Sequence, residues 1–215
     1  MAVKQTKMKF LSFFQRVSVI KTLYFNLYYF GRKGLKLPVL FAPGVKFISL
    51  KGKILLESTP LRGQVKFGRN CAVNINGTIT FKSNITIGEG SVLYVGPDAT
   101  LTFGSGFYAT SDLGVNCKKK ISFGDGCLIA YQVQVLDTDF HRIMDKTGIL
   151  NPDKEVIIGN HVWIGARTTV LKGTRIADNI VIGAASVLTK QYNVNYSVYA
   201  GNPATLVKKN VEWDY

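Results

Sequence analysis

The sequence predicts an all-β protein: a parallel β-helix with a short N-terminal extension, a looped-out excursion at about residues 139–156 and a C-terminal tail. Three observations predict it. Aliphatic residues return at every sixth position through Ile158, Ile164, Val170, Ile176 and Ile182, a period that belongs neither to a helix nor to an ordinary strand. Glycine directly follows three of these anchors (Gly159, Gly165, Gly183). A small or β-branched residue sits four places after each one: Val162, Thr168, Thr174, Ile180 and Ser186. Self-similarity at this period marks a stacked solenoid.

Each hexad supplies a short strand and a tight corner, three hexads close a coil, and coils stack at the strand spacing of about 4.8 Å. A single coil cannot bury its own aliphatic column, but a stack can. Glycine after an anchor meets a corner that needs either unusual dihedrals or close backbone approach.

Residues 1–44 form a basic, aromatic segment. Met8 to Phe30 is rich in Phe and Tyr, but Gln15, Arg16, Lys21 and Asn26 interrupt it. No uncharged run reaches the roughly 18–20 residues that span a bilayer, and no small-x-small site follows the apolar stretch as in a cleaved leader. Two readings stand: a helix that caps the exposed strand edges of the first coil, or an interfacial segment touching a membrane peripherally through residues 8–30. The protein is expected in the cytoplasm, and on the second reading at the inner face of the plasma membrane.

The β-helix is expected over residues 45–190, in roughly six or seven coils by the stacking rule. Its upstream phase is weaker, with six-residue steps from Phe67 to Val73, Ile79 and Ile85, from Ile87 to Leu93, and from Phe123 to Ile129 and Val135. The step from Val135 to Ile158 is not a multiple of six, so the chain loops out between them. The polar run Asp139 to Glu155 is that excursion, and long loops in compact domains carry function. Residues 191–215 follow as a C-terminal extension.

At 215 residues with 47% hydrophobic content the chain has the size of one domain and is not disordered. Three cysteines without a CxxC pair make no disulfide framework, and Cys127 falls on a small-residue position, a packing role. The formal charge of +14 calls for anionic partners. Nucleic acid is the weakest of these, because the lysines are scattered rather than banded and no helix-turn-helix, RNA-binding aromatic motif or zinc finger is present.

Imidazole chemistry is confined to His141 and His161. If Asp137 to His141 continues the preceding strand, Asp137, Asp139 and His141 share one side. Two carboxylates beside an imidazole suit a general base. His161, between Asn160 and Val162 inside a hexad, is expected to face solvent or a neighbouring subunit. Two histidines, with no HExxH or Cys/His cluster, predict no metal site, and no GxSxG elbow supports a covalent mechanism.

Three runs complete the picture: Ile158 to Ala166 (IGNHVWIGA), Ile182 to Lys190 (IGAASVLTK) and Ala200 to Ala204 (AGNPA). With the Asp-x-Asp-Phe-His segment, they resemble in order and spacing the left-handed β-helix acyltransferases, closest to bacterial polysaccharide and sugar O-acetyltransferases, over roughly residues 60–210. The resemblance implies a left-handed coil, a homotrimer with sites in the clefts between subunits, acetyl-CoA as donor and a sugar or glycan acceptor. It makes His141 the catalytic base, with Asp139 orienting it. Asp137 and Trp163 contact the acceptor or wall the site. The pantetheine arm runs along Gly165, Ala166, Gly183 and Ala184, with Thr189, Lys190 and Pro203 toward the adenine and phosphate end and Lys208 or Lys209 as further phosphate partners. The leader is too short and aromatic for the βαβ unit of sugar-nucleotide N-acyltransferases or the helical domain of serine acetyltransferases. The competing readings are a xenobiotic acetyltransferase of streptogramin or chloramphenicol type and a non-catalytic solenoid that binds protein or glycan.

Overall fold

The computed structural model describes residues 18–36, 39–56 and 64–215. They form a three-sided parallel β-helix of about six turns, and each side is one sheet whose strands recur every third in chain order. The first face runs from Val39–Phe41 through Leu128–Ile129 and Trp163–Ile164 to Ser197–Gly201. The second runs from Lys46–Leu50 through Gln134–Leu136 to Val187–Leu188, and the third from Lys53–Leu56 to Gln191–Tyr192. Parallel pairing therefore runs past residues 45 and 190, the limits that the six-residue period sets.

The coil has two gauges. Trp163 pairs with Val181 and Thr169 with Val187, so each turn there is three strict hexads. Upstream, Val65 pairs with Ile85 and Thr86 with Tyr108, turns that overrun three hexads, the second by more than the first. The longer perimeter encloses a wider interior, which phenylalanine fills. Phe81, Phe103 and Phe123 stack with centroids 5.5 and 5.2 Å apart, and Phe107 meets the last two edge-on at 4.7 and 4.9 Å. Past the excursion the same column narrows to Ile158 and Ile176, then ends on Tyr192.

The corners resolve what the glycines do. The left-handed residue stands three places after an anchor, at Asn70, Gln132, His161, Arg167, Asn179 and Ala185, with φ between 52 and 60°. The glycine immediately after the anchor instead permits close approach: a Cβ on Gly88 would lie 1.8 Å from the carbonyl oxygen of Thr110. The small residues four places on are buried, and their hydroxyls donate to backbone carbonyls, as Thr174 Oγ1 does to Leu188 O at 3.0 Å and Ser186 Oγ to Gly183 O at 2.6 Å. Cys127 holds such a position, with Sγ 3.2 Å from Gly159 O, and burial pushes its thiol up to about 12.

The helix Val19–Phe30 closes the open end. Asn26 Nδ2 donates to Val39 O at 2.7 Å, Asn26 Oδ1 accepts from Val39 N at 3.1 Å, and Thr22 Oγ1 accepts from Phe41 N at 3.2 Å. These side chains satisfy a strand edge that would otherwise stand unpaired. Phe25 packs on Phe41 and Phe47, with ring centroids 4.8 and 5.7 Å away. Residues 8–17 of the aromatic segment lie outside the described residues. No helix among the described residues is long and apolar enough to cross a membrane. At the other end Ala204–Lys209 folds back antiparallel on Ser197–Gly201.

Candidate active site

The excursion leaves the second face after Gln134–Leu136 and rejoins the third at Val156–Ile158, carrying its own antiparallel pair, Met144–Asp145 with Gly148–Ile149. Asp137 stands at its root and is fully buried. Its Oδ1 accepts from Lys118 N at 2.7 Å, and its Oδ2 accepts from Lys119 N at 2.8 Å and Lys120 N at 2.7 Å. Asp137 therefore pins the start of the loop to the coil below, and neither oxygen is turned to an acceptor. The expectation that it shares a side with His141 fails because the strand ends at Leu136. Phe140, in the left-handed region at φ 60°, breaks the two-residue alternation.

Asp139 is exposed, and its carboxylate is engaged by Lys172 and Asn151, not by the imidazole. Oδ2 accepts from the Lys172 ammonium and from Asn151 Nδ2 at 2.7 Å, while Lys172 also donates to Asn151 O at 2.8 Å. The same Asn151 amide donates to His141 O at 2.9 Å, and His141 N donates to Asp139 O at 2.7 Å. The Lys172 ammonium, seconded by Asn151, holds the Asp139 carboxyl below the usual carboxylate range. Asp139 thus fixes the backbone of His141 and does not orient its ring, which corrects the sequence expectation. Among the described residues neither ring nitrogen of His141 has a hydrogen-bond partner. His141 borders a cleft of about 180 Å³ whose walls include Lys118, Phe140, Arg142, Asn151 and Asp153. Phe140 packs on Tyr94 at 5.6 Å, with the Lys118 ammonium 5.7 Å over its ring.

The other predicted residues fall into groups. Thr189 and Lys190 sit on the corner between second and third faces from which the excursion springs. Lys190 lies one layer beyond Lys172, since Val170 pairs with Leu188. Gly165, Ala166, Gly183 and Ala184 line a different corner, between first and second faces. There a Cβ on Gly165 would lie 2.6 Å from Ala184 N, so stacking alone requires that glycine. Trp163 points outward from the first face, 39% exposed, and its aromatic neighbour is Trp213 at 6.0 Å, not His141. Pro203 lies in the turn between the last two strands, and Lys208 and Lys209 are exposed on the returning strand. His161 is half-buried beneath the tail: its ring stacks on Trp213 at 4.2 Å, Nδ1 faces Asn179 Oδ1 at 3.2 Å, and Trp213 Nε1 donates to His161 O at 3.0 Å.

Sequence reasoning missed Lys172, Asn151 and Trp213. Lys172 carried one signal, its place two residues after an anchor on the corner above the loop. Among the described residues no three His, Cys, Asp or Glu side chains gather as a metal site.

A parallel solenoid with one polar excursion bearing a histidine is the architecture of a transferase built on six-residue repeats. The model of that family, bacterial transferase hexapeptide (six repeats), matches residues 155–190. The polysialic acid O-acetyltransferase of Neisseria meningitidis is 35% identical over 165 residues, 69% of this chain and 74% of that protein. The enzyme of the same name from Escherichia coli O1:K1 is 32% identical over 66% of this chain, which spans only 44% of its length. The crystal structure of the polysialic acid O-acetyltransferase OatWY is 30% identical, with a TM-score of 0.53 over 81% of this chain and 90% of that one. The chain belongs to the hexapeptide-repeat O-acetyltransferases. It is an acetyltransferase, which removes the reading as a non-catalytic solenoid.

Proposed function

We propose that the protein moves an acetyl group from acetyl-CoA to a sugar hydroxyl of a cell-surface glycan or its precursor, by direct transfer with no acyl-enzyme. His141 is the general base. A free ring nitrogen takes the proton of the acceptor hydroxyl as its oxygen attacks the thioester carbonyl. The tetrahedral intermediate then collapses, the carbon–sulfur bond breaks, and the imidazolium returns the proton to the departing CoA thiolate. A backbone N–H beside the corner glycines holds the oxyanion. The observation that carries this reading is the state of His141, which borders a cleft with its backbone fixed by Asn151 and Asp139 and its ring nitrogens unpartnered among the described residues.

An acidic acceptor fits best. Lys118 and Arg142 wall the cleft together with Asp153, whose carboxylate lies 4.0 Å from the Lys118 ammonium, which leaves the lining net positive, and the two similar proteins reported above are named for polysialic acid. His141 and the Gly165–Gly183 ladder stand on different corners of one protomer, so a cleft between copies, as in a homotrimer, supplies both halves of the site. Trp163 then walls that cleft, with Thr189, Lys190 and Pro203 toward the nucleotide end.

The test is thiol release from acetyl-CoA with oligosialic acid as acceptor. His141→Ala lowers turnover by roughly 10²–10⁴ and leaves acetyl-CoA binding, measured by calorimetry, unchanged. Retained turnover rules out the base. A folded protein that does not bind acetyl-CoA rules out the donor.

A further inference from the structure

The N-terminal helix carries two faces, and the cap uses one of them. Thr22, Phe25 and Asn26 are buried against the first coil. The opposite side presents Ile20, Leu23, Tyr24, Leu27 and Tyr28, spaced i, i+3, i+4, i+7, i+8, which makes one continuous stripe along a helix. All five face solvent, Ile20 at 83%, Tyr24 at 62% and Tyr28 at 66% exposure, and the Tyr24 and Tyr28 rings stack 6.0 Å apart. An apolar, aromatic stripe turned to water is the feature that needs an occupant.

Charge identifies the occupant. The lysines are scattered along the chain, but the acids are not: residues 1–56 hold eleven Lys and Arg and no Asp or Glu, so most of the +14 charge originates there. Arg32, Lys46, Lys51 and Lys53 are exposed, and none of the four pairs with a carboxylate among the described residues. The helix meets the first coil at both ends of the strand Lys46–Leu50, with Lys21 Nζ donating to Val45 O and Tyr29 OH donating to Leu50 O at 2.7 Å. Lys46 and Lys51 each follow one of these contact residues in the chain. A second copy docked stripe to stripe would bring like charges together with no carboxylate to offset them. An anionic lipid surface offers the complement to both properties: headgroup charge for the lysines, and an acyl boundary for Leu, Ile and Tyr.

We propose that the helix Val19–Phe30 and the lysine-bearing edge of the first coil dock the protein flat on an anionic lipid bilayer. The helix lies in the plane of the interface without crossing it, and its Tyr rings sit at headgroup depth.

The experiment is co-sedimentation of the full chain with vesicles of phosphatidylcholine alone, and of phosphatidylcholine with about a third phosphatidylglycerol. The protein pellets with the anionic vesicles, and added salt releases it. Tyr24→Ser/Leu27→Ser/Tyr28→Ser and, separately, Lys46→Gln/Lys51→Gln/Lys53→Gln each weaken that binding tenfold or more, with circular dichroism, sedimentation coefficient and acetyltransferase turnover unchanged. Equal pelleting with neutral and anionic vesicles overturns the proposal, as does binding by the variants equal to that of the parent chain. A change of oligomeric state in the stripe variant also overturns it and assigns the face to a contact between copies.

Discussion

Lys172 governs where His141 stands, although the two side chains do not touch. Its ammonium holds Asp139 and the Asn151 carbonyl, and these two hold the His141 backbone. Lys172→Met frees the loop, and for His141 in the proposed role of base a displacement of about 1 Å costs up to 10² in rate. The expected result is a fall in kcat of roughly 10–10² with acetyl-CoA affinity intact and partial rescue by Lys172→Arg, read from steady-state kinetics and calorimetry. The pH dependence follows from Asp139. Its carboxyl titrates below the ordinary range, so the tether is whole above that range and is lost only as pH falls through the lowered value. The Lys172→Met defect is therefore constant between about pH 5 and 8. This network was illegible in the sequence: Asp139 and Lys172 lie 33 positions apart and meet because one coil stacks on the next. The place of His141 on the excursion was legible from the break in the six-residue phase, while the alternation that placed Asp137 beside it assumed a strand that stops at Leu136.

At the level of elements, legibility follows coil gauge. Where a turn is three strict hexads the six-residue period shows plainly, and Ile164, Val170 and Ile176 mark three successive faces. Upstream the same anchors hold for one circuit and then slip, because the longer turns return Phe67 to Ile87 and Ile87 to Ala109. The strands at Val39–Phe41 and Lys46–Leu50 keep one six-residue step, Phe41 to Phe47, and pair with the next turn of the coil on one side. On the open side Thr22 and Asn26 meet the first strand and Phe25 meets Phe41 and Phe47, contacts that no repeat encodes. The wider coils depend on aromatic volume. Phe103→Ala opens a cavity between Phe81, Phe107 and Phe123 and lowers stability by about 3–5 kcal/mol, measurable as a shift in denaturant midpoint without a change in slope.

Taken whole, the molecule keeps its three thiols from solvent. Cys71, Cys117 and Cys127 are buried, and burial raises all three thiol pKa values above their ordinary value. Thiolate is scarce at pH 8, so an aromatic disulfide reagent titrates none of them in the folded protein and all three in denaturant. The rate of labelling then reports unfolding. Composition foretold an unlinked, buried role for Cys127, but the concentration of positive charge at one end emerges only when acids are counted along with lysines. The parallel stack also acts as a ruler. The corner that launches the excursion repeats as Lys172 one layer on and Lys190 the next, each step a strand spacing of about 4.8 Å. Splicing one further turn of three hexads between Lys172 and Lys190 would leave every hexad in phase. It would carry Lys190 one graduation farther from the loop, making the span from the His141 loop to Lys190 a length written in whole coils.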